Sequence, residues 1–485
     1  MKIAFPIPTH EHYNVVRDVL YGCWCKGRRI GGGSVPPLTL LAAATVLKES
    51  GHQVTLMEGT AAECASALRD SELIVLLTST MTMEEDAQFL ATLKRAQPDL
   101  KTIAFGAHPT FCPKESLARA SVDYIILFEP ELPLRELVQT LSCGGDLSAI
   151  RGIGWKENGA PRVNHNPHFF PDLDELPIPD RSLLPAGGRY FNPLIDRYPY
   201  TTSETSRGCP KRCSFCTAPK MYGGKVRAWS VGKVLEEIAY LLDRGYRTIY
   251  YRDETFTALK VRNRGVFDEL KRRGFIVHWL CNVAVGTAGH DDLREMQEAG
   301  CYYIKVGVES GAQEILDRSC KGILLSQTRD LFRWAHELRI NTHAHLMLGM
   351  PGETRETMEQ TLRFAMELRP TTIDIGICTP YPGTDLYEQV AAEFPEIGDA
   401  SDITLRNLHT ISLYNRHYTS LKPGEIEAFL TKSYRRFYLN PGYIFRQLRR
   451  CRSLTMLISI IAAGLNVIRF SLFGEGSTRG GYDVI

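Results

Sequence analysis

The pattern of apolar and polar positions along the first 145 residues predicts strands that alternate with helices. Short runs rich in β-branched and aromatic residues predict strands at 3–7, 53–57, 73–78, 102–105 and 124–128. Between them lie longer stretches of helical character, among them 84–96 and 38–49, which Gly51 ends. Apolar strands separated by helices are typical of a parallel sheet covered on both faces. We therefore predict a doubly wound, Rossmann-like α/β domain over 1–145, which binds ligands beyond the carboxyl ends of its strands.

A second alternating series begins at Tyr200. The predicted strands lie at 200–205, 248–252, 277–281, 302–308, 342–348 and 372–378. The helix after Ser230 has one apolar face, formed by Val231, Val234, Leu235, Ile238, Leu241 and Leu242. Six strand–helix units over 199–394 predict a partial (β/α)6 barrel, with its chemistry at the C-terminal ends of the strands.

Two regions lie outside these series. Residues 146–198 are rich in Pro, Asn and Asp, which predicts an irregular linker. Residues 395–485 are predicted to form a mostly helical C-terminal region. The long loop 8–37 contains Cys23, Cys25 and a run of three glycines, and its length indicates a function of its own.

Composition is that of an ordinary globular protein, with 44% hydrophobic and 23% charged residues. The formal net charge of +2 gives no overall attraction to nucleic acid. No apolar run reaches the roughly 18 residues of a membrane-spanning helix; the longest candidate, 454–468, contains Ser459 and Asn466. Thirteen unevenly spaced cysteines without a signal-peptide pattern favour a reducing cytoplasm, where clustered thiols bind metals or take part in catalysis.

Three of these cysteines follow the first barrel strand directly. Cys209, Cys213 and Cys216 have the spacing C-x3-C-x2-C, so one short loop can supply three thiolates. A 4Fe–4S cluster usually has four cysteine ligands, so three leave one iron open to another ligand. A structural zinc site has four protein ligands, and the nearest histidines in sequence, His165 and His168, precede the barrel. The spacing therefore favours a cluster over zinc or three unrelated buried cysteines.

The triplet, with Phe215 before its last cysteine, resembles the signature of the radical S-adenosylmethionine (SAM) superfamily. The resemblance extends over roughly 200–390. It implies that SAM binds the open iron through its amino and carboxylate groups, and that an electron cleaves it to a 5′-deoxyadenosyl radical. It also implies a low-potential electron donor such as flavodoxin or ferredoxin.

The same resemblance assigns SAM contacts to four residues. Phe215 lies in the loop 207–216, which carries the three cysteines and is called the cluster loop below. Glu254, at the end of the second barrel strand, is suited to accept a hydrogen bond from the SAM ammonium. Glu309 is assigned to the ribose hydroxyls, and the turn at Gly349 would let backbone approach the adenine. Acidic residues at strand ends could instead cap the next helix. Related sequences commonly carry an arginine near the end of the third strand, where this chain has Cys-Asn-Val-Ala-Val at 281–285.

Residues 1–145 resemble the cobalamin-binding domain that precedes many radical SAM barrels. The residues that would face the cofactor are Ser79, Thr80, Thr82, Gly106, His108 and Glu129. The Asp-x-His-x-x-Gly pattern that supplies an imidazole to cobalt is absent, since 58–62 reads Glu-Gly-Thr-Ala-Ala. This implies base-off cobalamin without histidine ligation. His10, His12 and His108 are either ligands or ordinary loop histidines, and Cys23 and Cys25 either ligands or reduced thiols.

The C-terminal region changes character near residue 431. It carries a basic cluster formed by Lys432, Arg435, Arg436, Arg446, Arg449, Arg450 and Arg452. No acidic residue lies between 431 and 453, and the apolar run 454–468 follows. This pattern is compatible with peripheral membrane association through 432–468 or with a helical lid packed on the barrel. Nucleic acid is not expected as a partner, because a recognisable RNA-binding domain is missing.

Together these features predict a cobalamin-dependent radical SAM enzyme that methylates an unactivated carbon of a small molecule or lipid. Oxidative cyclisation or ring rearrangement with cobalamin stays open, because no motif identifies a substrate. A tRNA methylthiotransferase is disfavoured by the missing N-terminal ligand cysteines. A non-catalytic cobalamin-responsive regulator is disfavoured by the intact triplet together with Glu254 and Glu309.

Overall fold

A computed structural model describes residues 1–9, 17–20, 33–167, 169–185, 190–401, 415–451 and 454–473. His10, His12, Cys23, Cys25 and His168 lie outside the described residues. The N-terminal strands are β1 Lys2–Pro8, β2 Gln53–Gly59, β3 Leu73–Thr78, β4 Lys101–Gly106, β5 Tyr124–Ile126, β6 Ile153–Glu157 and β7 Ala160–Asn164. The helices among them are α1 Leu38–Glu49, α2 Ala61–Ala67, α3 Met83–Ala96, α4 Ala107–Phe111, α5 Pro113–Ala118 and α6 Glu131–Cys143.

These strands form one sheet in the order β2-β1-β3-β4-β5-β6-β7. The first five are parallel and have the flavodoxin-like order 2-1-3-4-5, which confirms the doubly wound prediction. β3 is buried along its whole length because helices cover both faces of the sheet.

The prediction of an irregular linker from residue 146 is wrong for 153–164. β6 and β7 form an antiparallel hairpin that extends the N-terminal sheet at its edge. The turn between them is Asn158-Gly159, in which both residues have positive φ (50° and 79°). Asn-Gly flanked by strands is the strongest local hairpin signal. Pro161 is tolerated in β7 because an edge strand leaves one side of its backbone unpaired.

The second half of the chain alternates strands with helices. Its strands are β8 Tyr200–Ser203, β9 Ser206–Arg207, β10 Arg227–Ala228, β11 Thr248–Tyr251, β12 Trp279–Val283, β13 Cys301–Glu309, β14 Asn341–Leu348 and β15 Thr372–Ile377. The helices are α7 Ala218–Met221, α8 Val231–Asp243, α9 Lys260–Arg273, α10 His290–Glu298, α11 Gln313–Arg318, α12 Leu325–Glu337, α13 Arg355–Leu368 and α14 Asp385–Glu393.

Six of these strands form a parallel sheet in the order β15-β14-β13-β12-β11-β8, which confirms the partial (β/α)6 barrel. Its outer face packs on the helices through residues such as Ile304, Leu346 and Ile375. The floor of the inner face is apolar and aromatic, with Tyr250, Leu280 and Tyr303 buried together.

The described part of the C-terminal region is helical, as predicted. Its helices are α15 Asn415–Tyr418, α16 Pro423–Tyr438, α17 Pro441–Arg450 and α18 Leu454–Phe473. α16 lies along β15, the edge strand of the barrel. The Tyr434 and Tyr438 hydroxyls accept hydrogen bonds from the backbone N–H groups of Ile375 and Ile373, at 3.2 and 2.9 Å. Among the described residues, no helix has the length and apolar character needed to cross a membrane.

Candidate active site

The cluster loop leaves the carboxyl end of β8 and is fastened by backbone hydrogen bonds. Ser214 N donates to Ser319 O at 3.0 Å, and Leu386 N donates to Ser214 O at 2.9 Å. Cys209, Cys213 and Cys216 are partly exposed and form no disulfide. Within the described ranges, these three sulfurs are not among the groups of donors lying within 4.8 Å of one another. Three thiols on one short loop are a donor set that fits a 4Fe–4S cluster.

Glu254 lies next to this loop. Its carboxylate accepts a hydrogen bond from Gly208 N at 2.8 Å, so it sits one residue from Cys209. Burial, and after it the neighbouring Glu204 carboxylate, raise the pKa of Glu254 to about 8. The adjacent Asp253 binds Thr205 N and the Thr205 and Ser206 hydroxyls at 2.6–3.0 Å, so it secures the end of β8 rather than capping a helix.

Glu309 ends β13 at an irregularity in the strand pairing, and its backbone is left-handed, with φ 61°. A non-glycine residue held there is strained by about 1–3 kcal/mol, and such positions cluster at functional sites. Its carboxylate pairs with the Lys321 ammonium at 2.6 Å. Lys321 also lies 6.0 Å from the centre of the Phe215 ring. Phe215, Glu309 and a lysine therefore meet beside the cluster loop.

Gly349 follows β14, with φ 72°. A β-carbon at this position would lie 2.6 Å from the Asn415 amide nitrogen. Asn415 also donates to the backbone oxygens of Gly349 and Cys378, at 3.0 and 2.8 Å. Close packing of the C-terminal region thus explains the glycine, while its contact with adenine stays a prediction.

The residues predicted to face cobalamin follow β3 and β4, which are neighbours in the sheet. Ser79, Thr80, Thr82 and His108 are buried. The Thr82 hydroxyl lies 3.3 Å from that of Ser79, and the Thr80 hydroxyl lies 3.2 Å from His108 Nδ1. At Gly106, a β-carbon would lie 2.2 Å from Thr78 O, so the glycine is required by the packing of β4 on β3. This sheet edge, rich in hydroxyls and with the His108 imidazole between Thr80 and Asp399, fits a corrin ligand.

The carboxyl ends of the two parallel sheets face each other. After β5, Glu131 binds Arg207 of the cluster loop at 2.7 Å, and Glu129 binds Arg227 through Oε2 at 3.2 Å. After β15, the Tyr381 hydroxyl contacts Met81 Sδ at 3.0 Å. The two predicted cofactor regions therefore open toward the same space. Glu129 is engaged in holding the sheets together, and its contact with cobalamin stays a prediction.

Comparison with known proteins agrees with this geometry. The profile of the radical SAM superfamily matches residues 203–365, and that of the B12 binding domain matches residues 31–138. An uncharacterized methyltransferase of Pyrococcus horikoshii is 31% identical over 432 residues, which are 87% of this chain and 92% of that protein. The chain belongs to the radical SAM superfamily, in the class with a B12-binding domain. Its cofactors are accordingly a 4Fe–4S cluster, SAM and cobalamin.

Other relatives of this radical SAM enzyme differ in what they are named for. The anaerobic magnesium-protoporphyrin IX monomethyl ester cyclase of Rubrivivax gelatinosus is 28% identical over 73% of this chain and 63% of that protein. The structure of the methyltransferase TsrM from Kitasatospora setae, with cobalamin and a [4Fe–4S] cluster bound, has a TM-score of 0.65 and 17% identity. It covers 81% of this chain and 75% of that one, and the likeness shows a shared fold.

Several residues of the radical SAM site escaped the sequence analysis. Lys321 lies more than 100 positions after the triplet, and no local pattern connects it to Glu309. Arg227 is equally remote from Glu129. At the end of β12, where an arginine was expected, the Asn282 side chain donates to Asp253 O at 2.8 Å and so supports the strand that carries Glu254. Such pairs could be found only from the fold.

Proposed function

We propose that this enzyme methylates an unactivated carbon of a small molecule or lipid. The observation that supports this best is the meeting of the two carboxyl edges, because it brings a methyl carrier and a radical source to one substrate. When bound, the cluster and SAM supply the radical and cobalamin supplies the methyl group.

In this proposal the chain's own residues bind and orient the reactants. The cluster loop holds the iron through Cys209, Cys213 and Cys216. Glu254 and Glu309 position SAM by accepting hydrogen bonds from its amino group and ribose. The buried hydroxyls of Ser79, Thr80 and Thr82 bind the corrin. The apolar floor of the barrel, formed by Tyr250, Leu280 and Tyr303, closes the lumen to water from below.

The test is the stoichiometry of SAM products. Anaerobically reconstituted enzyme with cobalamin and a low-potential reductant is incubated with SAM carrying a CD3 group and with a metabolite extract. Methyl transfer is expected to give one 5′-deoxyadenosine and one S-adenosylhomocysteine for each CD3 group in product. The Cys209→Ala, Cys213→Ala, Cys216→Ala triple variant should give neither. If deoxyadenosine forms and substrate is lost without S-adenosylhomocysteine or CD3-labelled product, the reaction is not methylation. Cyclisation, the reaction for which the Rubrivivax relative is named, would then be the assignment.

Cobalamin binding has a separate spectroscopic test. Because 58–62 lacks a histidine, bound Co(II) cobalamin is expected in a base-off form. Its electron paramagnetic resonance spectrum should show no nitrogen coupling from a protein imidazole. Coupling that disappears in His108→Ala would instead make His108 a cobalt ligand.

We further propose that the C-terminal helices dock on an anionic lipid surface. Of the 12 large apolar side chains exposed in the described residues, nine lie between Leu439 and Leu472. Five of them form one stripe on α18 at helical spacing: Ile458, Ile461, Leu465, Ile468 and Leu472. Such clustering on a surface is typical of an interaction site. Part of the basic cluster is already used, since Lys432 and Arg436 both bind Glu359.

Vesicle co-sedimentation tests the docking. Full-length enzyme should bind vesicles containing phosphatidylserine at low salt and bind more weakly at high salt, because each nearby cation contributes on the order of 1 kcal/mol. Ile461→Glu should reduce binding. Ile276→Glu is the matched control, because Ile276 is 88% exposed but lies outside these helices. Failure to bind phosphatidylserine vesicles at low salt would contradict the proposal. A second protein would then be the expected partner of the exposed stripe on α18.

A further inference from the structure

Two histidines and an aspartate lie together on the inner wall of the barrel, on the neighbouring strands β14 and β15. His343 and His345 are two residues apart on β14, so their side chains leave the same face of the sheet. The residues between and after them, Ala344 and Leu346, belong to the outer core beneath the helices. Asp374 on β15 pairs in register with His345, between two outward residues, Ile373 and Ile375. All three polar side chains therefore face the lumen.

Their donor atoms are close enough to share one ion. One ligand atom from each residue lies within 4.8 Å of the others, the only such group found among the described residues. His345 Nδ1 is 2.6 Å from Asp374 Oδ1, and His343 Nε2 is 3.4 Å from the same oxygen. The Asp374 side chain is 50% exposed and that of His345 32%, so both can be reached from the lumen.

A chain of hydrogen bonds orients His343. Its Nδ1 lies 2.6 Å from the Thr372 hydroxyl, which lies 2.7 Å from the Tyr303 hydroxyl. Tyr303 donates in turn to Thr342 O, at 3.3 Å, and a carbonyl can only accept. Both tautomers of His343 satisfy this chain, because the Thr372 hydroxyl can donate or accept; with the proton on Nδ1, Nε2 directs a lone pair at the Asp374 carboxylate, where a cation can bind. A metal-ligating histidine is usually fixed through its other nitrogen in this way.

The neighbouring cations are directed elsewhere. Lys305 lies beside His343 on β13, but its ammonium donates to the Tyr250 hydroxyl at 2.7 Å, toward β11 and away from β15. Arg252 pairs with Asp18 at 2.7 Å. Of the described residues, neither Lys305 nor Arg252 therefore pairs with Asp374.

We propose that His343, His345 and Asp374 bind a divalent transition-metal ion, zinc or iron(II), on the inner wall of the barrel. Two imidazoles and one carboxylate are ligands that such ions prefer over magnesium or calcium. Three protein ligands leave positions open toward the lumen, where an oxygen of a substrate can coordinate. This site is distinct from the cluster and does not depend on methyl transfer being the reaction.

Cobalt(II) is the probe, because its visible spectrum reports bound nitrogen and oxygen ligands. The protein is the full chain with Cys209, Cys213 and Cys216 replaced by Ala, treated with chelator and titrated without oxygen, so that cluster thiols cannot bind the ion. One equivalent of cobalt is expected, displaced by zinc. His345→Gln and Asp374→Asn should weaken binding at least tenfold. Thr372→Val, which touches no ion, should weaken it by about tenfold through the loss of orientation.

His290→Gln is the matched control. His290 also lies near two carboxylates, with Asp291 and Glu337 both at 3.7 Å, but on the exposed surface. It should leave cobalt binding unchanged. The proposal is overturned if the parent protein takes up no cobalt at stoichiometric concentration, or if His345→Gln, shown by circular dichroism to be folded, binds as the parent does. Zinc analysis of cluster-loaded wild type gives a second measure, with about one zinc or one iron beyond the cluster expected per chain.

Discussion

Glu254 shows at the scale of one residue how burial prepares a carboxyl for a ligand. It is enclosed beside the cluster loop with Glu204 as a neighbouring acid, and its pKa is raised to about 8. Below that pH the free enzyme holds a proton on the carboxyl group that we propose to accept a hydrogen bond from the amino group of SAM. On this proposal, SAM binding is coupled to the release of this proton.

The pH dependence of SAM affinity follows from this coupling. The Kd for SAM on cluster-loaded enzyme should fall as pH rises from 6 to 8, by up to about tenfold per unit, and level off above 8. Glu254→Gln keeps an oxygen for Gly208 N but cannot titrate, so its slope reports only the other groups. Anaerobic equilibrium dialysis measures both proteins. If the Kd for SAM changes equally with pH in wild type and in Glu254→Gln, Glu254 does not bind the amino group of SAM.

Glu309 gives a second prediction at this scale. Glu309→Ala should weaken SAM binding by about tenfold or more with the cluster intact, because the ribose hydroxyls lose their acceptor. Lys321→Met removes the ion pair with Glu309 but keeps the Glu309 carboxylate. The variant therefore distinguishes a direct contact of Glu309 with SAM from an effect of the ion pair on the cluster loop. If only Lys321→Met alters SAM affinity, the ribose assignment to Glu309 is wrong.

Site residues that lie close together in the sequence could be predicted, whereas those brought to the site from distant elements could not. The three cysteines lie within eight positions of one another. Lys321, Asn415 and Arg227 reach the site from distant elements, and their side chains carry no signal of where the chain will place them. Gly349 shows the mixed case, since its turn was found but its contact with Asn415 was not.

At the scale of elements, the parallel strands of both sheets were found from short apolar or β-branched runs, of which β3, buried along its whole length, is the clearest. The β6–β7 hairpin was missed because the prolines around it outweighed Asn158-Gly159. The packing of α16 on β15 could not be predicted either. It depends on tyrosine hydroxyls that bind the backbone of a strand about 60 residues earlier.

Tyr438→Phe tests that packing. The change removes the acceptor for Ile373 N and leaves a buried N–H without a partner, at a cost of about 1–3 kcal/mol. Urea unfolding of the anaerobic protein measures the loss. Tyr387→Phe is the control, because its hydroxyl binds Gly398 O at the exposed surface. Equal effects of the two changes would mean that the edge of β15 gains nothing from Tyr438.

At the scale of the whole molecule, the domains are joined by charges buried between them. Arg207 follows the first barrel strand, yet its partners Glu129 and Glu131 come from the N-terminal sheet. Its side chain is only 6% exposed, so its positive charge depends on these carboxylates. The same arginine precedes Gly208 and Cys209, so the joint between domains also supports the cluster loop.

Glu131→Ala should therefore lower the free energy of unfolding by roughly 3 kcal/mol and reduce iron retention on dialysis. The loss stays near the lower end of the range for buried pairs because Glu129 and Glu204 remain. Lys48→Ala, which breaks a partly exposed pair with Asp180, should cost no more than about 1 kcal/mol and leave iron unchanged. If Glu131→Ala retains iron at the wild-type level, the ion pairs between the domains do not support the cluster loop.

The cover that α16 provides has a consequence for synthesis on the ribosome. β15 ends at Ile377, whereas Tyr434 and Tyr438 come about 60 residues later. At a translation rate of about 5–20 residues per second, the barrel edge stays bare for several seconds after its last strand has been made. An uncovered parallel strand is a template for pairing with another chain. Nascent chains that stall before residue 423 should therefore aggregate or recruit chaperones, although every strand of the barrel is already present.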